Sequence, residues 1–179
     1  MQKPKLLLMK PKISNLLVVC LLAILVISCT EDTQQPKNLD LSINLTGKSD
    51  CKSNKSAEIN QAVTNSQSCI DYSFDQAAKK LTLKHINAGF NCCPGNISCI
   101  VSYRSDTIVI QEVEEKSQCN CDCIYDLDMV VDGVEAGKYQ LRVIEPYVGN
   151  QAKLNFELDL RNQKQGSWCV TRTQYPWGL

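Results

Sequence analysis

Among its 179 residues the chain has a single histidine, His85, so any Cys–His or Ser–His catalysis would depend on that one imidazole. It has no Gly-x-Ser-x-Gly elbow, no His-Glu-x-x-His, no Walker loop and no dinucleotide glycine fingerprint, which removes the enzyme classes that carry a local signature. A paired-carboxylate hydrolase survives these absences, because its two acids need no local motif. No segment keeps apolar residues at helical spacing for about twelve positions, which excludes a helical bundle. There is no basic excess either, with 19 Lys and Arg against 19 Asp and Glu. Four of those cations, Lys3, Lys5, Lys10 and Lys12, precede Cys29; without them 15 bases face 19 acids, and the remainder stands at about −4. The electrostatic footprint of a nucleic-acid binder is therefore missing.

Long hydrophobic runs are also lacking. The longest, Leu16 to Ile27, has twelve residues, short of the roughly 20 needed to cross the hydrocarbon core of a bilayer. Behind its lysines and ahead of Ser28-Cys29, it reads as the apolar region of a secretory signal peptide over residues 1–28, starting from Met1 or Met9. Val26-Ile27-Ser28-Cys29 resembles the bacterial lipobox, which implies cleavage before Cys29 and a diacylglycerol on its thiol. That lipid is the only cofactor expected, and the membrane the first partner. Residues 29–38 are polar and aperiodic, a tether. Thr30 after the cysteine, followed by Glu31-Asp32, resembles the sorting signals of outer-membrane lipoproteins that face the periplasm or the cell surface.

Residues 39–179 read as one domain of strands. Leu39, Leu41, Ile43 and Leu45 alternate with polar residues, and further candidate strands fall at about 68–74, 80–86, 97–104, 106–113, 119–131, 138–145 and 152–160. Turn chemistry separates them at Ala77-Ala78-Lys79, Arg104-Ser105-Asp106, Asp132-Gly133 and Gly149-Asn150. Short strands at regular spacing predict an all-β fold, an antiparallel β-sandwich of immunoglobulin-like or similar type. Residues 47–67 are polar and read as a long loop or a short helix.

The one plentiful residue is cysteine, 11 in all. Cys20 leaves with the signal peptide and Cys29 carries lipid, leaving Cys51, Cys69, Cys92, Cys93, Cys99, Cys119, Cys121, Cys123 and Cys169. Outside the cytoplasm such a set is read first as disulfides, and its odd number leaves one thiol over. On a strand, Cys119, Cys121 and Cys123 would face one side, too far apart to pair with one another. At least two bridges are expected between that triplet and Cys92, Cys93 and Cys99. Cys92 and Cys93 should point to opposite faces in extended chain. Cys51 and Cys69 flank the polar loop and could close it, and Cys169 could pin the tail. The alternatives are a metal site for zinc or copper(I), from Cys119, Cys121 and Cys123 with Cys92, Cys93 or His85, or a reactive thiol.

His85 continues the apolar face of Leu81 and Leu83, where a hydrogen-bonded structural histidine is the ordinary finding. Asp126, Asp128 and Asp132 do not match calcium-loop spacing and read as a solvated face. Trp168, Tyr175 and Trp177 form either a stacking platform for carbohydrate or a tail packed over a sheet edge.

Two segments carry a resemblance. His85-Ile86-Asn87-Ala88-Gly89-Phe90-Asn91-Cys92-Cys93-Pro94 and Cys119-Asn120-Cys121-Asp122-Cys123-Ile124-Tyr125-Asp126 resemble a motif pair, His-x-Asn-x-x-Phe-Asn-Cys-Cys-Pro and Cys-x-Cys-x-Cys-x-Tyr-Asp. The pair belongs to small Bacteroidetes outer-membrane lipoproteins of no established activity. The resemblance covers about 85–145 and implies an address, not a reaction. Taken together, the sequence predicts a membrane-anchored envelope lipoprotein serving as a non-enzymatic binding or structural accessory module, with a carbohydrate or protein ligand. An envelope-polymer hydrolase, or a cysteine-cluster metal or thiol protein, is the alternative.

Overall fold

A computed structural model describes residues 38–52, 64–116 and 119–177. The signal peptide, the lipid-bearing Cys29 and all but the last residue of the tether lie outside the described residues.

The described chain forms nine strands: β1 (Ser42–Lys48), β2 (Gln67–Asp75), β3 (Lys80–Asn91), β4 (Ile97–Arg104), β5 (Thr107–Glu114), β6 (Asp122–Asp132), β7 (Lys138–Ile144), β8 (Asn155–Asp159) and β9 (Gln165–Thr171). They make two sheets, one ordered β1-β6-β3-β2-β9 and one ordered β4-β5-β7-β8. Alternation explains which side chains meet between them. Leu81, Leu83 and His85 of β3 are buried while Lys80, Thr82 and Lys84 are exposed, as a two-residue period requires of a sheet wet on one face. Ile108 and Ile110 of β5, Tyr139, Leu141 and Val143 of β7, and Phe156 and Leu158 of β8 join them in one core with Leu127, Met129 and Val131 of β6.

The structure corrects the expectation in three places. The pairing is not wholly antiparallel, since β5 and β7 run parallel; β6, in the other sheet, supplies the crossover that parallel neighbours need. The tail supplies a ninth strand, β9, paired with β2 along Gln67–Ser73. The strand expected from 119 begins only at Asp122, so Cys119 and Cys121 precede it. The β4–β5 hairpin turns at Ser105 and Asp106, both with positive φ (48° and 62°), the two-residue geometry that suits twisted strands.

The chain changes sheets twice at one end. From β3 to β4 it crosses through Cys92-Cys93-Pro94-Gly95-Asn96, and from β5 to β6 it returns through the segment ending at Cys121. The two crossovers touch. Glu115 N donates to Asn96 O and Cys92 N to Cys121 O, both at 2.9 Å. A Cβ on Gly95 would lie 1.9 Å from Glu115 O, so only glycine permits this approach.

Candidate functional site

Four disulfides are formed: Cys51–Cys123, Cys69–Cys169, Cys92–Cys121 and Cys93–Cys119. Cys51 therefore pairs with the first turn of β6 and not with Cys69. Cys69 and Cys169 are register partners on β2 and β9, and their bridge holds the tail strand to the sheet. Among the described residues Cys99 is the free thiol. Burial first, and Glu112 second, push it up to about 12, so it is not a poised nucleophile.

The two remaining bridges stitch the crossovers together. Asn91 organises them: its Oδ1 accepts from Cys93 N at 2.8 Å and its Nδ2 donates to Cys119 O at 2.6 Å. Tyr125 Oη donates to Asn91 O at 3.0 Å. This turn takes Cys92 and Cys93 out of extended geometry, so they do not point to opposite faces as expected. The Sγ atoms of Cys92, Cys93 and Cys119 lie within 4.8 Å of one another, all half-buried. A cavity of about 440 Å³ opens beside them, lined by Asn91, Asn120, Asp122, Tyr147 and Tyr175 among others. Tyr175 anchors its rim by hydrogen bonds with the backbone N and O of Asp122.

Of the ligand set expected, Cys119 with Cys92 and Cys93 is brought together, and Cys123 and His85 are not. Cys123 is committed to Cys51, and His85 lies seven residues back along β3 from Cys92, roughly 20 Å away at strand rise. His85 belongs instead to a polar network sealed between the sheets. Its Nδ1 meets Glu112 Oε1 at 2.5 Å, its Nε2 meets Ser68 Oγ at 2.8 Å, and Glu145 Oε1 lies 3.7 Å from Nε2. Arg172 Nη2 donates to both oxygens of Glu145 at 2.6 Å. The His85, Glu112, Glu145 and Arg172 side chains are at most 1% exposed. Burial pulls the imidazole down, but Glu112 and Glu145 outweigh it against Arg172, and His85 stands above the ordinary histidine value. Burial raises Glu145, against the pull of His85 and Arg172. Glu112 Oε2 and Arg172 Nε have no hydrogen-bond partner.

The sequence reading missed Glu112, Glu145 and Arg172. Its signal was present: Ile108, Ile110, Glu112 and Tyr139, Leu141, Val143, Glu145 are inward-facing series that end in a charge. Asn87 was missed likewise. With φ of 61°, it sits at the bulge of β3 and donates through Nδ2 to Thr64 O and Gln67 O, while Trp177 Nε1 donates to its carbonyl at 2.6 Å. Trp177 is 1% exposed, so it belongs to no carbohydrate platform; Trp168 stacks on Phe156 with centroids 5.5 Å apart. Asp126 pairs with Lys52 at 2.5 Å and Asp132 with Lys80 at 3.4 Å, as ion pairs at the sheet surface.

Comparison with known proteins settles no kinship. No family model, no curated protein and no solved structure matches the chain.

The geometry overturns the expectation of a non-enzymatic binding or structural accessory module. Three sulfurs from two bridges lie close enough together to share a metal, and His85, Glu112, Glu145 and Arg172 are buried together. That grouping favours the alternative of a cysteine-cluster metal or thiol protein over the module expected.

Proposed function

We propose that this chain is a cysteine-cluster metal and thiol protein of the cell envelope. Its working part is the crossover end of the domain, where reduction of Cys92–Cys121 and Cys93–Cys119 opens a soft-metal site. The observation that carries the reading is the grouping of Cys92, Cys93 and Cys119 within 4.8 Å. Tetrahedral zinc with Zn–S bonds of about 2.3 Å places its sulfurs about 3.8 Å apart, so on reduction the Cys93 and Cys119 sulfurs must part by about 2 Å from bonding distance, while Cys92 already lies within 4.8 Å of both. Cys121 supplies a fourth thiolate. Thiolate donors suit zinc, cadmium or copper(I) and disfavour magnesium or calcium. Binding would release protons and would require a reducing partner, since each ligand must first be a free thiolate.

The address belongs to the same proposal. The run ending at Cys29 and its resemblance to a lipobox support lipid anchoring, and the motif pair supports membership of the Bacteroidetes outer-membrane lipoproteins, facing periplasm or surface. The two packed sheets support an immunoglobulin-like or similar sandwich, with the parallel β5–β7 pair as a departure from that pattern, and the acidic remainder supports a function without nucleic acid.

Titration of the fully reduced chain with cadmium tests the reading. A sulfur-to-cadmium charge-transfer band at one ion per chain is expected, with the β-sheet circular dichroism retained. The band should be lost in Cys92→Ser, Cys93→Ser and Cys119→Ser and kept in Cys169→Ser. Equal binding by all four variants would mean that unfolded thiols, not this site, hold the metal.

A further inference from the structure

Cys92 Sγ is bonded to Cys121, yet lies within 4.8 Å of both sulfurs of the neighbouring Cys93–Cys119 bridge. The four residues differ in access. Cys121 is exposed, whereas Cys92, Cys93 and Cys119 are half-buried. Cys119 and Cys121 also border the cavity of about 440 Å³ beside Asn91 and Tyr175, room for the tip of a peptide or a small dithiol. In thiol–disulfide exchange, access decides which sulfur an incoming thiolate attacks. Here that sulfur is Cys121, and the leaving sulfur, Cys92, is delivered next to a second disulfide.

We infer that the oxidised cluster is a thiol–disulfide exchange relay, in which a dithiol substrate enters at Cys121 and Cys92 carries the exchange inward to Cys119. The inference deepens the reading given above, that these sulfurs are the working part of the molecule, by naming the substrate class and the order of events. One thiolate of the dithiol attacks Cys121 Sγ. A mixed disulfide forms, the Cys92–Cys121 bond breaks, and Cys92 leaves as thiolate. Cys92 then attacks Cys119 Sγ; the Cys92–Cys119 bond forms and Cys93 leaves as thiolate, taking a proton from solvent. The second thiol of the substrate loses its proton and attacks its own mixed-disulfide sulfur. That closes the substrate disulfide and releases Cys121, which is protonated. Two electrons and two protons pass from substrate to protein, and one of the two protein disulfides is lost. Attack on Cys93 instead of Cys119 would join adjacent residues in a strained ring. The Asn91 contacts to Cys93 N and Cys119 O hold those two residues in place while the bond moves.

The full chain carrying Cys121→Ser tests this directly, because it leaves Cys92 as a lone thiol beside the intact bridge. Oxidised protein in chelator, alkylated with N-ethylmaleimide at increasing times and mapped without reduction, should show label divided between Cys92 and Cys93. A Cys92–Cys119 peptide should accompany the Cys93–Cys119 one. Label confined to Cys92 at every time would overturn the relay. The wild-type chain given one equivalent of dithiothreitol is the second measurement, independent of the variant's folding. It should yield Cys92–Cys119 with Cys93 and Cys121 free, whereas an untouched Cys93–Cys119 bridge would also overturn the relay. Cadmium binding by the fully reduced chain separates the two claims. Binding with no bridge migration removes the relay alone, and migration with no binding removes the metal reading alone.

Discussion

At the residue scale, the contrast between Cys99 and the clustered cysteines shows how environment sets thiol chemistry. Cys99 sits on β4 with its Sγ 3.5 Å from Met129 Sδ and is held at about 12 by burial and Glu112. At pH 8 about one molecule in ten thousand would carry its thiolate, so mapped alkylation should leave Cys99 unlabelled in the folded protein and label it in denaturant. His85 makes the second case. Its folded value lies above 6.5, so the folded state holds a proton that the unfolded state loses first. The stabilisation is complete below pH ~6.5, the unfolded value, and is lost as pH rises through the folded value. Urea melts from weakly acid to alkaline pH should show stability falling with pH in wild type. His85→Gln should flatten that slope; an unchanged slope would place its source elsewhere. Glu145, also raised, acts with the same sign in the more acid window above 4.5.

At the scale of elements, β9 is the strand most dependent on a covalent tie. Its burial pattern is mostly exposed, it pairs with β2 alone, and its apolar contacts are Val170 against the core and Trp168 on Phe156. The Cys69–Cys169 bridge spans 100 residues, and closing so long a loop is worth about 4 to 5 kcal/mol in the chain-entropy model. Cys169→Ser is expected to lower the melting temperature clearly and to speed amide exchange in 165–171 first. Exchange that accelerates uniformly through β2, β3 and β6 would show that β9 is not separately held. Release of β9 should also reach Arg172, directly after the strand, which pairs with Glu145 and lies over the Trp177 ring at 4.9 Å.

At the scale of the molecule, the cysteine end and the His85 network lie on the same strand, β3, but in different surroundings. One is half-buried beside a cavity; the other is closed between the sheets. The proposed lipid anchor is a separate matter of address. Cys29→Ser should shift the protein from the detergent-extracted to the soluble fraction, because acyl chains contribute about 0.8 kcal/mol per buried CH₂. Continued membrane retention of that variant would mean that the apolar run 16–27 itself stays as the anchor.

What the sequence by itself determined is local. Period-two alternation reports which side chains turn inward, so eight of the nine strands were legible. Turn residues marked the β4–β5 hairpin, and the two cysteine clusters were visible as clusters. Gln165–Thr171, with no apolar alternation, was not legible as β9, because it is an edge strand held by a partner and a disulfide. The two bridges expected between the clusters are found, as Cys92–Cys121 and Cys93–Cys119, but the tertiary structure alone decided which sulfur meets which. Cys69 finds Cys169 because register places them opposite one another, and Cys92, Cys93 and Cys119 converge because two sheet-to-sheet crossovers run side by side. Neither fact is written in local spacing. The His85 network was hidden for the same reason: its members come from β2, β3, β5 and the segments after β7 and β9, and they become neighbours only when the two sheets close on each other.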